Sequence, residues 1–301
     1  MSVASLIRNA PKEFHLSVRL DPQPWRQVGQ AVVDRDGLRG SGARHILFFV
    51  HGFNNSEGDA AKSYARFFAV MREGLRKSRV APDAVAYFHW PGDLTGGATA
   101  YPYDVGQAKD SAATLARYLA DIPSPGGDPR SLLVSLIGHS LGCRLVLEAL
   151  AALAPSPRRP EIVFVGLMAA AVGVRAVDVG RPLRAMDALP KRLTKFFSTR
   201  DWVLLGAFPA GQTAAAARGL DDAHREAVGR NGNTASFGSG QSTTNGHSDY
   251  WPDPVIAEGV VPAIDASVSM IRPTPAIIPG NVIGARDLPA PHSLGGRSLP
   301  S

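Results

Sequence analysis

The sequence predicts an α/β fold with a mostly parallel central sheet and helices on both faces. From His45 onward, short apolar runs alternate with segments whose apolar residues recur at helical spacing, and this alternation is typical of a parallel sheet. The chain has 301 residues, 45% of them hydrophobic, which is enough for one large domain around a buried sheet. We therefore expect one domain over residues 1–272, with its core at 45–272.

Several segments have the composition of strands. Apolar and polar residues alternate from Phe14 to Leu20, which predicts a half-exposed edge strand, and Gln27 to Val33 is a second candidate. Both fall in the predicted N-terminal edge region, 12–34. The later runs are almost wholly apolar or β-branched, as in buried parallel strands. They are residues 45–50, 84–90, 131–137, 162–167 and 195–198.

Apolar side chains recur every three to four residues in most segments between these strands, which predicts helices. The predicted helices are residues 59–75, 104–122, 141–153, a segment ending near Leu189, 214–217, 221–228 and 255–271. Arg144 and Glu148 lie four residues apart and predict a narrow exposed stripe. A cap or mobile lid is expected within 203–246. The proline- and glycine-rich residues 273–301 predict an extended or disordered tail.

Charge and cysteine content argue against several classes of protein. The net charge is +6, but the arginines are scattered, which favours a mildly basic surface over nucleic-acid binding. Cys143 is the single cysteine, so an internal disulfide or a multi-cysteine zinc site is excluded; a small core residue is expected there. No signal-peptide pattern and no run of about eighteen apolar residues is present, so a cytoplasmic protein without a membrane span is expected, with export by a route without a cleaved leader as the alternative. Histidines and carboxylates show no metal-ligand spacing and no phosphate loop is found, so no cofactor or metal is expected.

The stretch LIGHSLGCRL, residues 136–145, predicts a nucleophilic serine. Ser140 lies between a strand-like run and a helix, with Gly138 and Gly142 on either side. In such a strand–turn–helix elbow the central residue has a strained backbone, and larger flanking side chains would collide. The elbow exposes the Ser140 hydroxyl at a helix N-terminus, where the backbone N–H of Leu141 can stabilise negative charge.

A second turn is expected to help bind an oxyanion. His51, Gly52 and Phe53 directly follow the strand at residues 45–50. The backbone N–H of Phe53 can lie beside that of Leu141 and form a pair of donors. The alternative is an ordinary turn at a strand end. His51 is expected to brace this turn rather than titrate during catalysis.

An acid and a base are predicted further along the chain. Asp201 follows the strand at 195–198 and can orient an imidazole, although an aspartate there is often only a helix cap. The competing carboxylates are Asp178, Asp187, Asp221 and Asp222. His247 lies in a late turn-rich loop, which completes the order serine, acid, histidine found in α/β hydrolases. His89 is the alternative base, and His139 is expected to turn away from the serine hydroxyl.

Side chains near these positions in the sequence are candidates for a substrate pocket. The candidates are His51, Phe53, Asn54, Trp90, Trp202, Tyr250 and Trp251. The aromatic members could equally pack beneath the sheet.

Six blocks of sequence together resemble a bacterial branch of the α/β hydrolases whose function is unknown, and more broadly serine esterases and lipases. The blocks are FFVHGFNNS, YFHWPGD, YDVGQAKDSA, LIGHSLG, FFSTRDWVL and HSDYW, between about His45 and Trp251. The resemblance implies an eight-stranded hydrolase sheet, a Ser140–Asp201–His247 triad, and Phe53 and Leu141 as oxyanion donors. It implies no particular substrate.

The expected activity is hydrolysis of a carboxylic ester or thioester through an acyl-enzyme, with a small-molecule or lipid-like acyl ester as substrate. Two alternatives remain open. One is a binding protein that keeps the hydrolase fold without turnover. The other is an acyltransferase that uses the same triad to pass the acyl group to an alcohol. The sequence does not distinguish acyl length, leaving group or oligomeric state.

Overall fold

Eight strands form one sheet in the centre of the protein. The computed structural model describes residues 10–19, 28–78, 80–93, 99–181, 183–184, 189–232 and 237–271. The strands are β1 (Lys12–Arg19), β2 (Val28–Asp34), β3 (His45–Val50), β4 (Ala84–His89), β5 (Leu133–His139), β6 (Glu161–Met168), β7 (Arg192–Phe197) and β8 (Ser239–Ser242). Their order is β2-β1-β4-β3-β5-β6-β7-β8. β1 and β2 are antiparallel, and the other neighbouring pairs are parallel. The predicted α/β fold is confirmed.

Helices cover both faces of this sheet. They are α1 (Glu57–Lys77), α2 (Tyr101–Asp121), α3 (Leu141–Leu153), α4 (Phe208–Ala217), α5 (Val228–Asn231) and α6 (Pro254–Ile271). α1 packs against α6, whereas α2 packs against α3 and α4. A π-helical turn, Val203–Ala207, leads into α4.

The buried strands lie where continuous apolar runs predict them. All six side chains of β3 and all six of β4 are buried, because parallel strands in this position are covered on both faces. β3 and α3 have the predicted bounds, and α1, α2 and α6 begin and end within about three residues of the prediction.

The first strand is not at the edge of the sheet as predicted. β1 pairs with β2 on one side and with β4 on the other, so β2 is the edge strand. The alternation of polar and apolar residues reflects a partly open face of β1: Leu16 is buried, whereas the neighbouring His15 is partly exposed.

Two predicted helices are wrong within the described residues. Residues 222–226 are irregular, and α5 begins only at Val228. Between β6 and residue 181 the chain forms only a short 3-10 helix, Val174–Val177. The strand β8 was not predicted either, since its sequence SGQS has no apolar residue.

The predicted exposed stripe on α3 is also wrong. The Arg144 side chain is only 5% exposed, because the loop before α5 covers it. Its guanidinium pairs with the carboxylates of Glu148 and Asp221, and the Gln212 side chain donates to Asp221 as well. This buried ion pair connects α3 to α4 and to the loop that follows α4.

Helix α6 is long and apolar enough to cross a membrane by length and composition. Eight of its eighteen residues are buried inside the protein, however, and it packs against α1, β6 and β7. Its Ser267 hydroxyl donates to the Ala263 carbonyl within the helix. These contacts are those of a core helix. The predicted tail, 273–301, lies outside the described residues.

The strand register brings several loops to one edge of the sheet. Val50 of β3 pairs with Gly138 of β5, and Phe197 of β7 pairs with Ser242 of β8. The segments after β3, β5, β7 and β8 therefore leave the sheet on the same side, which is where open parallel sheets carry functional groups.

Candidate active site

Ser140 forms a sharp turn between β5 and α3. Its backbone has φ 52° and ψ −123°, a left-handed conformation that is strained for a residue with a Cβ. A Cβ on Gly142 would lie 2.2 Å from the His51 carbonyl oxygen, and one on Gly138 would lie 2.9 Å from the Cys143 backbone. Both glycines are therefore required by close backbone contacts, as the elbow pattern predicts.

The strained backbone is fixed by hydrogen bonds to the next strand. The Ser140 N–H donates to the Met168 carbonyl at 2.9 Å, and the Ser140 carbonyl accepts from the Ala171 N–H at 3.1 Å. Asn54, Ser140 and Ala169 are the non-glycine residues with positive φ among those described. Each lies just beyond a strand end at this edge of the sheet, where backbone strain is characteristic of functional sites.

Ser140, His247 and Asp201 form a continuous chain of hydrogen bonds. The Ser140 Oγ lies 2.9 Å from His247 Nε2. His247 Nδ1 lies 2.8 Å from Asp201 Oδ2. Because a carboxylate can only accept, Nδ1 carries the proton and Nε2 is free to accept from the serine hydroxyl. The three side chains thus have the geometry of a nucleophile, a base and an orienting acid.

Asp201 has two roles at once. Its side chain is fully buried, and its Oδ1 accepts from the Leu204 N–H at 2.9 Å. One oxygen therefore caps the helical segment that follows, while the other holds His247. The helix-cap interpretation and the triad interpretation are compatible. Of the competing carboxylates, Asp221 and Asp222 pair with arginines, Asp178 is exposed, and Asp187 lies outside the described residues.

The turn after β3 lies against the serine. A Cβ on Gly52 would lie 2.7 Å from the Ser140 Cβ, so the backbone there must be glycine to approach so closely. Among the described residues, the N–H groups of Phe53 and Leu141 have no hydrogen-bond acceptor, whereas the next N–H, of Asn54, donates to the Gly92 carbonyl at 2.5 Å. The two predicted oxyanion donors are thus uncommitted at this turn.

The His51 side chain stabilises the turn after β3 through hydrogen bonds to the backbone. Its Nδ1 donates to the Gly52 carbonyl at 2.9 Å, and its Nε2 accepts from the Trp90 N–H at 3.2 Å. The Trp90 indole donates to the His51 carbonyl at 2.8 Å. Burial lowers the pKa of His51 to about 3. The imidazole is therefore neutral and serves as part of the scaffold.

A cavity of about 340 Å³ opens beside Ser140. Its apolar lining includes Phe53, Tyr101, Ala171, Leu204, Phe208 and Trp251. Polar side chains also line it: Asn54, Asn55, Ser63, Ser248 and the imidazoles of His139 and His247. A mostly apolar cavity with a few polar groups beside a nucleophile is typical of a small-molecule site.

The predicted pocket residues divide into two groups. Asn54, Phe53 and Trp251 line the cavity. His51, Trp90 and Tyr250 do not, because they are buried beneath the loops that form it. Trp202 does not line it either: the side chain is 77% exposed, because the neighbouring Asp201 and Leu204 face inward.

Sequence reasoning missed several lining residues. Tyr101 and Phe208 begin α2 and α4, and neither belongs to a motif; only the tertiary structure brings them to the cavity, with ring centroids 6.3 Å apart. His139 also lines this cavity, and its ring hydrogen-bonds to the His247 carbonyl.

His89, the alternative base, lies elsewhere. It is fully buried, and its Nε2 lies 3.3 Å from His15 Nδ1. Burial, followed by the nearby His51 and His15, lowers the pKa of His89 to about 2. It does not line the cavity beside Ser140.

Cys143 is buried in α3, and its thiol donates to the Met168 carbonyl at 3.3 Å. Burial raises its pKa far above the ordinary value, so the reactive thiolate is disfavoured at neutral pH. Within the part of the chain that is described, no group of three or more His, Cys, Asp or Glu side chains could hold a metal ion.

Residues 30–207 match a protein family described as α/β hydrolases of unknown function, DUF900. This match covers more than half of the chain. The chain belongs to that family. Ser140 and Asp201 lie within the matched residues of this DUF900 hydrolase, and His247 lies beyond them.

Solved structures similar to this DUF900 chain share little sequence with it. A predicted CIB-like hydrolase from Thermoplasma acidophilum is 16% identical, with 78% of this chain and 90% of that chain covered and a TM-score of 0.41. The EstE5–PMSF structure is 15% identical, with 80% of each chain covered and a TM-score of 0.39. A poly(3-hydroxybutyrate) depolymerase from Bordetella parapertussis is 16% identical, with 73% of this chain and 78% of that chain covered and a TM-score of 0.38. A comparison with curated proteins found no match.

Proposed function

We propose that this protein is a serine hydrolase that cleaves a carboxylic ester or thioester through an acyl-enzyme. One observation supports this most directly: Ser140 Oγ lies 2.9 Å from His247 Nε2, and His247 Nδ1 lies 2.8 Å from the buried Asp201. The neighbouring cavity is mostly apolar, as a site for an acyl group would be.

In the proposed reaction, Ser140 Oγ attacks the acyl carbon while its proton passes to His247 Nε2. Asp201 stabilises the imidazolium. The backbone N–H groups of Phe53 and Leu141 stabilise the oxyanion of the tetrahedral intermediate. His247 then gives its proton to the leaving alcohol or thiol, and a water molecule, activated by the same imidazole, releases the acid and regenerates Ser140.

Ser140→Ala is expected to abolish labelling by a fluorophosphonate probe and hydrolysis of p-nitrophenyl esters, because Ser140 Oγ is the hydroxyl that lies on His247 Nε2 among the described residues. The smaller side chain fits the same backbone, so circular dichroism should remain native. Ser248→Ala is the matched control, since Ser248 lines the same cavity without bonding His247; it should still be labelled. Persistent labelling of Ser140→Ala would mean that the nucleophile is another residue, and no labelling of the native protein would favour a non-catalytic binding protein.

Short and medium acyl chains are expected to be hydrolysed faster than long ones. At about 340 Å³ the cavity is at the small end of the range for ligand sites, and aromatic rings of Tyr101 and Phe208 bound it. The measurement is kcat/KM for p-nitrophenyl esters from acetate to palmitate. A maximum at palmitate would contradict this expectation while leaving the triad proposal intact.

A further inference from the structure

His139 lies between Gly138 and Ser140 in the elbow, and its side chain contacts the loop that carries His247. Its Nε2 lies 2.7 Å from the His247 carbonyl oxygen. The two imidazole rings have centroids 5.1 Å apart. The rings of Tyr250 and Trp251 also lie close to the His139 ring, with centroids at 6.0 Å and 5.8 Å. The ring is only 5% exposed.

The hydrogen bond fixes the tautomer of His139. A carbonyl oxygen can only accept, so Nε2 carries the proton and Nδ1 is bare. Nδ1 is buried and has no hydrogen-bond partner among the described residues. A Cβ on Gly52 would lie 3.0 Å from His139 Nδ1. The turn that carries the Phe53 N–H therefore packs directly against this nitrogen. His139 therefore donates one hydrogen bond, to the main chain of His247.

The His139 ring stays uncharged beside His247. Burial, followed by the repulsion of His247, lowers the pKa of His139 to about 3. A charged neighbour about 5 Å away would oppose protonation of His247. A neutral donor holds the loop without that repulsion.

Other contacts in the loop hold the residues on either side of His247 rather than the backbone of His247 itself. The Gly246 N–H donates to the Asp249 carboxylate at 3.0 Å, and the Asn245 side chain donates to Asp253 at 2.6 Å. In the described part of the chain, His139 makes the hydrogen bond to the backbone of His247 itself. Among the described residues, the ring nitrogens of His247 are hydrogen-bonded to Ser140 and Asp201.

We propose that His139 is a positioning residue, which acts through His247 by holding the backbone of the proposed base at the correct distance from Ser140. This inference rests on the proposed function. A displacement of about 1 Å in a reacting group can lower a rate a hundredfold, so one hydrogen bond at this point has a catalytic effect larger than its effect on stability.

The first test compares two variants of the full chain. His139→Leu keeps much of the volume but removes the donor, and is expected to lower kcat about 10- to 100-fold with KM changed less than about threefold. In His139→Gln the amide Nε2 can reach the same carbonyl, so most of kcat should return. Melting temperatures are measured for both. If glutamine is as slow as leucine at equal stability, the hydrogen bond is not the cause and the proposal is wrong.

A double-mutant cycle then tests whether His139 acts through His247. In a His247→Ala background the His139→Leu change is expected to alter the residual hydrolysis and labelling rates less than about threefold. An equal loss in both backgrounds would show a general structural role and would overturn the proposal. A native protein that neither hydrolyses esters nor reacts with the fluorophosphonate would contradict the proposed function instead, so the two failures are distinguishable.

Discussion

Replacing His247 with alanine is expected to lower kcat about a thousandfold or more, whereas His89→Ala should retain most of it. His247 Nε2 is the group 2.9 Å from the Ser140 hydroxyl, and loss of a triad base removes most of the rate acceleration. His89 instead ends β4 and lies beside His15 of the neighbouring strand β1, so its removal leaves a cavity and affects stability more than chemistry.

Steady-state kinetics on both variants decides which histidine is the base. The assays are run well below the melting temperatures, on variants with native circular dichroism. The fluorophosphonate is expected to react with the proposed nucleophile, Ser140, rather than with the imidazole, so the labelling rate gives an independent measure of serine activation. A near-normal kcat in His247→Ala with an inactive, folded His89→Ala would show that the base has been assigned to the wrong histidine.

Acidification from pH 7 to pH 5 is expected to lower the free energy of unfolding by up to about 6 kcal/mol. His51, His89 and His139 are buried and their pKa values are lowered to about 3, 2 and 3. In the unfolded chain the same imidazoles titrate near 6.5. Between those values the unfolded state binds more protons than the folded state, so stability rises with pH in this window.

The contribution of these three histidines to the free energy of unfolding is fully present above about pH 6.5 and is lost as the pH falls toward 3. At pH 5 each of the three histidines accounts for about 2 kcal/mol, a large part of the stability of an ordinary domain. Urea unfolding at pH 7, 6 and 5 measures the effect. The lowered carboxylate pKa values of Asp34, Asp221 and Glu161 contribute at lower pH. A change below about 1 kcal/mol would mean that these histidines are hydrated or paired in solution.

The sequence predicts the elements that depend on local pattern. Continuous apolar runs located the buried strands, because strands such as β3 are covered on both faces and exclude polar side chains. The glycines around Ser140 predicted the elbow because a Cβ cannot fit there. The position of Asp201 after β7 follows from the topology of a parallel sheet. The catalytic roles of Ser140, Asp201 and His247 stay predictions until activity is measured.

Features set by tertiary contacts could not be predicted. Arg144 has the spacing of an exposed charge, but the distant Asp221 buries it. β8 has no apolar pattern because backbone pairing with β7, rather than side-chain burial, holds it in the sheet. The proposed role of His139 depends on a carbonyl 108 residues later in the chain, which no local motif reveals.

Strand order also affects when the protein becomes able to act during its synthesis. β1 pairs with β4, and Lys12 lies opposite Ala84. β1 therefore has no parallel neighbour until β4 has been synthesised. His247 is the 107th residue to be added after Ser140. At ordinary rates of translation this takes about 5 to 20 seconds. During that interval the nascent chain carries the proposed nucleophile without its base, so ribosome-bound chains that end before His247 should be inert toward acyl esters.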